Sequence, residues 1–439
     1  MPPVKPEDLV TCLRVLAELS NVEPDDPIFL EVERAAAHLR KETKRRRRLA
    51  REQRRARTDR ALIEATAMVR AKRAPGRPAD PARAFPAAAA PLPDPALPST
   101  AIGTLRRARR CYVCKGPYRE VHAVYHRLCP DCADLNWRRR HASADLRGRR
   151  ALVTGGRIKI GRQVALSLLR WGAEVTITTR FPSDAARRYA SEPDAGLWSD
   201  RLRIVGLDLL RLGDLQRFLD GLLAEGRPLD ALVNNAAQTV RRESGWYAEL
   251  AAGERRLGPG PTDLPARPVD HEGQPLDRRE RNSWLLRVDE VSPEELVETT
   301  IVNQLAPFLL VARTRGLMTT SPFPDRYVVN VSAMEGKFDR PGKPTRHAHT
   351  NMAKAALNML TRTAAADYAG DGIYMTSVDT GWITDENPAP LRERLEAEGF
   401  RPPLDVADGA ARVLDPIVRG VAGERLHGVF LKDYRPTEW

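Results

Sequence analysis

Apolar residues recur at helical spacing in PEDLVTCLRVLAEL, close to the start of the chain, and predict an amphipathic helix. A second helical stretch is predicted from about Ile28 to Met68, turning strongly basic at KETKRRRRLAREQRRARTDR. From Pro75 to Pro98 the prolines of PGRPADPARAFPAAAAPLPDPALP rule out a regular helix and predict an extended linker. Beyond residue 145 the pattern changes to short apolar runs alternating with longer amphipathic ones. The apolar runs ALVT, AEVTITTR, LRIVGLDL, LDALVNNAA, RYVVNVSA and IYMTSVDTGW predict strands. Between them IGRQVALSLLRWG, LGDLQRFLDGLLAEG, PEELVETTIVNQLAPFLLVART and TNMAKAALNMLTRTAAADY predict helices. Alternation of this kind, with right-handed crossovers, predicts an α/β fold built on a doubly wound parallel sheet.

The pattern therefore divides the chain into a helical basic region (1–73), a Pro/Ala-rich linker (74–105), a small cysteine-bearing module (106–144) and an α/β domain (145–439). A long polar insertion, 239–289, interrupts that last domain after its fourth strand; it mixes Trp, Tyr, Pro, Gly and charge, and predicts a lid or partner surface. A chain of 439 residues readily buries a full core. The formal charge of +13 is concentrated, since Arg40 to Arg60 holds twelve Lys and Arg against three acids. This arm suits an acidic protein or nucleic-acid phosphates, or is simply solvated; without interleaved aromatic residues to stack on bases, the protein-facing and solvated readings are favoured. MPPVKPEDLV has no apolar core of a signal peptide, and no apolar run approaches the ~18 residues of a membrane helix. The expectation is a soluble, cytoplasmic protein without a membrane partner.

Cys111-x2-Cys114 and Cys129-x2-Cys132 can each turn two thiolates toward one ion, and two such knuckles complete a closed tetrahedral zinc site. The module has little apolar material of its own, so the metal would be structural. His122 and His126 lie between the knuckles and are expected at the surface; Cys12, alone on an apolar helix face, is expected to be packing.

ALVTGGRIKIG reads as a strand, a glycine-containing turn and a helix start, the opening of a dinucleotide-binding unit in which backbone N–H groups hold a pyrophosphate. Five stretches in order then resemble the short-chain dehydrogenase/reductase family, over roughly residues 148 to 439. They are TGGRIKIG for its glycine turn, LVNNAA, Asn303 in IVNQL, Lys354 for the lysine of its Tyr-x3-Lys pair, and TGWITDE. The resemblance implies a Rossmann-like fold, which the small zinc-binding module and the helical N-terminal region read above would precede. It implies a cofactor turn of Thr154, Gly155, Ile160 and Gly161, with Asp208 facing the adenine, Asn235, Ala236 and Ala237 lining the ribose, and Thr384 meeting the nicotinamide amide. It also implies a small-molecule substrate and a homo-oligomer.

One departure lies in the turn, where Lys159 replaces the middle glycine. After the second strand, TTRF carries no acid to bind a ribose 2′-hydroxyl, whereas Arg180 is placed for a 2′-phosphate and Arg157 or Lys159 add positive potential; NADP(H) is favoured over NAD(H). Two further departures lie in the slots that hold the family's proton donor and its serine. These contain Thr350 and Ala333, while Asn303 and Lys354 remain. A threonine hydroxyl titrates too high to replace a phenol, so either another group passes the proton, His347 or His349 with Glu335 also near in sequence, or these histidines only cap the helix or face solvent and the domain does not turn over. The chain is thus expected to be an NADP(H)-dependent oxidoreductase with a non-standard active site, or a non-catalytic NADP(H)-binding scaffold or sensor coupled to a partner through the zinc module and basic arm.

Overall fold

The computed structural model describes residues 5–73, 101–242, 254, 276–339 and 342–439. The linker stretch Pro75 to Pro98 and most of the 239–289 insertion lie outside the described residues. The chain forms two compact units, one of Met1–Ile63 with Leu105–Ala108, the other of Glu64–Thr104 with Arg109–Trp439.

In the first unit, α1 (Pro6–Leu19) buries none of its residues, and Leu9, Val10, Leu13 and Leu16 are all exposed. Cys12, expected to be packing, is exposed with them, because the apolar stripe of α1 has no covering element among the described residues. The long basic helix α2 (Pro27–Glu64) buries Asp59 and Ile63. The Asp59 carboxylate accepts the backbone N–H groups of Arg106 and Arg107 at 2.6 and 3.1 Å.

The second unit opens with α3 (Ala67–Arg73) and an antiparallel pair, β1 (Ala101–Arg110, apart from its Leu105–Ala108, which belong to the first unit) with β2 (Pro117–His122), followed by α4 (Pro130–Arg140). The α/β region then runs β3 (Arg150–Thr154), α5 (Lys159–Arg170), β4 (Glu174–Thr179), α6 (Pro182–Ala190), β5 (Leu202–Gly206), α7 (Leu212–Glu225) and β6 (Ala231–Asn234). It continues through α8 (Pro293–Thr300), a π-turn at Ile301–Leu305, α9 (Ala306–Thr319), β7 (Arg326–Ser332), α10 (Ala348–Gly370) and β8 (Ile373–Asp379). It closes with α11 (Ala389–Ala397), α12 (Val406–Val421) and the short pair β9 (Phe430–Lys432) and β10 (Arg435–Thr437).

Among the described residues, eight strands make one sheet in the order β10-β9-β8-β7-β6-β3-β4-β5, parallel except for the β9–β10 pair. The order reverses between β3 and β6, which opens the crevice outside the strand C-termini where ligands bind in such sheets. Each face of the sheet is covered by helices. On one, Val164, Ala165 and Leu168 of α5 meet Ala410, Val413 and Ile417 of α12 over Val153 and Val329. On the other, Leu215 and Leu219 of α7, Leu310 and Val311 of α9 and Tyr368 of α10 cover Leu152, Leu232 and Val328.

The helix Pro293–Thr319 is long and apolar enough to cross a membrane by length and composition, contrary to the sequence expectation. Here its Ala306, Leu310 and Val311 are part of the second core.

The cysteine module is docked onto α12. Arg140 pairs with Asp405 at 2.7 Å and Asp408 at 3.2 Å, Arg139 pairs with Asp415 at 3.0 Å, the Tyr125 hydroxyl donates to Asp408 at 2.6 Å, and Arg412 donates to Asn136 at 2.6 Å. His122 and His126, expected at the surface, are buried in this module. His122 Nδ1 accepts the N–H groups of Val124 and Tyr125, shaping the turn between the knuckles.

Candidate active site and metal centre

The turn after β3 is built on close backbone approaches. Gly155 is left-handed (φ +69°), and a Cβ there would sit 3.0 Å from the Ala236 backbone. A Cβ on Gly161 would fall well inside contact distance of Asn235 Nδ2 and the Gly155 carbonyl, so only glycine fits. Thr154 ties this turn to the end of β6: its Oγ1 accepts the N–H groups of Asn235 and Ala236, both at 3.0 Å, while Asn235 Nδ2 donates to the Thr154 carbonyl at 2.9 Å. A glycine cradle opening onto the N-terminus of α5 fits a pyrophosphate. Ala236 is half-buried and Ala237 exposed along its rim. Ile160 packs on the core beside α12. Asp208, after β5, accepts the Leu210 N–H at 3.1 Å and shapes the turn there.

Lys159 adopts the left-handed backbone (φ +52°) that the family's glycine would favour. Its Nζ lies 3.5 Å from Glu386 Oε1, and Glu386 in turn accepts the Thr384 hydroxyl at 2.8 Å. The Lys159 ammonium, opposed by burial, holds the Glu386 carboxyl below its ordinary range. Arg157 is buried and pairs with Asp184 at 2.7 Å. Arg180, exposed at the end of β4, stands 5.5 Å from the Phe181 ring.

Asn303 lies in the π-turn and is buried. Its Oδ1 accepts the Gln238 N–H at 2.6 Å and its Nδ2 donates to the Gln238 carbonyl at 3.0 Å, clamping the chain after β6. Such π-turns concentrate at functional sites because they release a backbone carbonyl from the helical ladder.

Lys354 on α10 is buried, and its Nζ donates to the Val331 carbonyl at 2.8 Å. Burial pushes it down to about 8, against the opposing pull of Glu335. The turn Met334–Gly336 packs hard on α10, since a Cβ on Gly336 would lie 2.7 Å from the Lys354 carbonyl. Ala333, in the serine slot, is half-buried; Ser332 is fully buried, with its hydroxyl directed at the Lys354 carbonyl at 3.5 Å.

Thr350 is buried one turn before Lys354, and its Oγ1 has no hydrogen-bond partner among the described residues. Both histidines beside it are buried. His349 Nε2 lies 3.4 Å from Glu295 Oε1. Burial raises Glu295, but hydrogen bonds from His349 and Ser283 outweigh it and hold the carboxyl below its usual range. His347 caps α10 in the left-handed region (φ +45°), with Nδ1 3.1 Å from Asn351 Oδ1. Burial lowers its pKa, opposed by Glu335. Glu335 thus acts electrostatically on both His347 and Lys354, which flank Thr350 in the sequence.

Trp284 is a site residue that the sequence did not reveal. Its ring stacks on His347 at 4.1 Å and 9°, and the His347 N–H donates to the Leu286 carbonyl at 2.7 Å. The described end of the insertion thereby covers the start of α10. Buried Asp277 anchors this segment: it pairs with Arg242 and Arg279, accepts from Asn282 at 3.1 Å, and its carbonyl receives the Ala389 N–H at 2.6 Å. Asn282 also donates to the Glu386 carbonyl at 3.0 Å.

The Sγ atoms of Cys111, Cys114, Cys129 and Cys132 all lie within 4.8 Å of one another, with Cys114 and Cys129 3.6 Å apart. A tetrahedral zinc with bonds of ~2.3 Å needs sulfur–sulfur edges of roughly 3.8 Å, so the donors fit that ion. The Cys129 N–H reaches Cys111 Sγ at 3.3 Å, as a thiolate ligand requires.

Residues 149–251 match the family described as short chain dehydrogenase. An uncharacterised protein of Acanthamoeba polyphaga mimivirus is 36% identical over 337 residues, covering 70% of this chain and 71% of that one. Galactitol 2-dehydrogenase of Rhizobium johnstonii is 27% identical over 271 residues, covering 60% of this chain and 81% of its own. A cofactor-bound short-chain dehydrogenase/reductase structure from Caenorhabditis elegans is 19% identical, with a TM-score of 0.47, covering 65% and 93% of the two chains. With the glycine cradle, the clamped Asn303 and the buried Lys354 on one doubly wound sheet, and with the family match over residues 149–251, the chain belongs to the short-chain dehydrogenase/reductase family.

Proposed function

We propose that the protein is an NADP(H)-dependent oxidoreductase acting on a polar alcohol or its carbonyl counterpart, with His347 moving the proton in place of a tyrosine. The observation that carries this reading is the arrangement around Thr350: a buried imidazole and a buried ammonium share the field of Glu335 where the phenol is missing. When bound, the nicotinamide supplies the hydride chemistry. Lys354 is suited to hold the neighbouring ribose hydroxyls, and Thr154, Gly155 and Gly161 to hold the pyrophosphate, while Asn303 fixes the loop beside them.

Burial keeps the imidazole neutral near pH 7. With Nδ1–H donated to Asn351 Oδ1, Nε2 offers the lone pair that accepts an alcohol proton. Trp284, stacked on that ring, fixes its orientation and limits water at the site. Arg180 at the end of β4, with no acid in TTRF, supports NADP(H) over NAD(H). The galactitol 2-dehydrogenase likeness supports a polyol-like substrate class. Zinc in the four-cysteine module is structural, and reduced thiolates suit a cytoplasmic location. Exposed Val297, Phe308, Met352 and Met359 on α8, α9 and α10 support a homo-oligomer, and the basic face of α2 a polyanionic partner.

The test is a panel of polyols and sugar-acid alcohols with NADP+ or NAD+ and the full-length protein. NADP+-dependent turnover supports the proposal. Tight NADP+ binding without turnover of any alcohol or carbonyl favours the scaffold reading, to which Thr350 and Ala333 would then belong.

A further inference from the structure

Among the contacts between the cysteine module and the α/β domain, two differ in character. Its buried ion pairs with α12 hold it down. It also makes a hydrogen bond to the loop that carries Thr384, from the residue immediately after the first of the four cysteines, Cys111.

Tyr112 is fixed inside the module by its own N–H, which donates to the Arg127 carbonyl at 2.8 Å. Lys115 and Lys432 lie 4.9 and 5.8 Å from its ring. From this position Oη accepts the Trp382 N–H at 2.9 Å. The acceptor meets a loop with little slack: Gly381 is left-handed (φ +81°), and a Cβ there would be 2.5 Å from Leu404 and 3.5 Å from Tyr112 Oη. The Gly381 N–H donates to Asp379 Oδ1 at 3.1 Å, and Asp379 is held by Lys432 at 3.1 Å. Two residues beyond Trp382, Thr384 donates to Glu386, which meets Lys159 in the phosphate turn. A continuous path therefore runs from Tyr112, next to Cys111, through its hydroxyl to the loop after β8 and on to Lys159 in the turn after β3.

We propose that Tyr112 is a positioning residue that couples the four-cysteine centre to the cofactor loop, so that zinc and NADPH bind cooperatively. The inference rests on the zinc and NADP(H) reading above. Closing the thiolates on one ion fixes the Cys111–Cys114 turn and hence Oη. Without the ion the turn is free to open, and the Trp382 amide exchanges its fixed acceptor for water. The loop then pays its ordering entropy when NADPH arrives. Because linkage is reciprocal, NADPH tightens zinc by the factor by which zinc tightens NADPH. A single neutral hydrogen bond sets the scale at a few-fold to about ten-fold.

The experiment measures zinc affinity of the full-length protein by competition with a chromophoric chelator, with and without saturating NADPH. Wild type is compared with Tyr112→Phe and with Tyr118→Phe, which removes a hydroxyl bonded to the His126 carbonyl inside the same module. The expected result is a gain of about five-fold in zinc affinity with NADPH in wild type and Tyr118→Phe, and less than two-fold in Tyr112→Phe. Equal zinc affinity with and without NADPH in wild type, or wild-type coupling in Tyr112→Phe, overturns the proposal. Direct NADPH titration of the zinc-loaded protein separates this from failure of the cofactor reading: no binding there overturns both. Should Tyr112→Phe not fold, hydrogen exchange of residues 380–386 in wild type decides. Faster exchange on zinc displacement supports the coupling, and unchanged exchange refutes it.

Discussion

Lys159 and Glu386 meet with Nζ 3.5 Å from Oε1, joining the phosphate turn after β3 to the loop after β8 across the crevice where the sheet order reverses. To make that contact the chain holds a lysine in a backbone conformation natural to glycine. The left-handed region costs a residue with a Cβ roughly 1–2 kcal/mol.

Comparison of Lys159→Gly with Lys159→Ala isolates that cost, because both variants lose the ion pair. Glycine is ordinarily about 1 kcal/mol worse than alanine in a helix. Here the glycine variant should be the more stable by about 1 kcal/mol in urea unfolding. An alanine variant that equals or exceeds it would remove the case for strain at this position.

Lys354 is a buried ammonium whose pKa falls from 10.5 to about 8 on folding. A depressed lysine costs stability in full below its folded pKa, and the cost fades as pH climbs from there to the unfolded value. Lys354→Met should therefore bind NADPH poorly yet unfold at higher urea than wild type at pH 7, by an upper bound of roughly 3 kcal/mol. That advantage should shrink between pH 8 and 10.5. A pH-independent difference would mean that the ammonium is not the cause.

Arg180→Ala should weaken NADPH at least ten-fold, the scale of a lost charge-assisted contact to phosphate, and leave NADH within about two-fold. Parallel losses for the two cofactors would place Arg180 outside the 2′-phosphate site.

Much of this was readable from the chain. Strand order from ALVT to IYMTSVD followed from alternation, and the glycine turn, Asn303 and Lys354 from the family resemblance, but α6 (Pro182–Ala190) and the π segment at Ile301–Leu305 were not read. The C-terminal helix α12 was not, for a physical reason: Pro416, an ordinary helix breaker, lies inside it, and its Asp408, Arg412 and Asp415 are buried rather than solvated. Those charges find their partners in Tyr125, Arg139, Arg140 and Asn136, more than 250 residues earlier, a pairing no local pattern carries. The module's histidines were read as surface groups because the turn that buries His122, which accepts the N–H groups of Val124 and Tyr125, leaves no periodic signal. Trp284 was hidden differently, inside an insertion without periodicity, and only the fold brings it onto His347. β9 and β10, three residues each, are too short to leave a period-two signature.

The central claim is that His347 carries the proton in place of the missing phenol. The most direct measurement is the pH profile of kcat/KM for NADP+-dependent alcohol oxidation, in wild type and in His347→Asn, which tolerates the left-handed backbone. Wild-type activity should fall as pH drops through a pKa below 6.5, where the neutral imidazole is lost. The variant should lose about 100-fold or more in kcat, keep its NADP+ affinity, and no longer show that limb. A variant that retains both the acid limb and activity within three-fold of wild type would contradict the account.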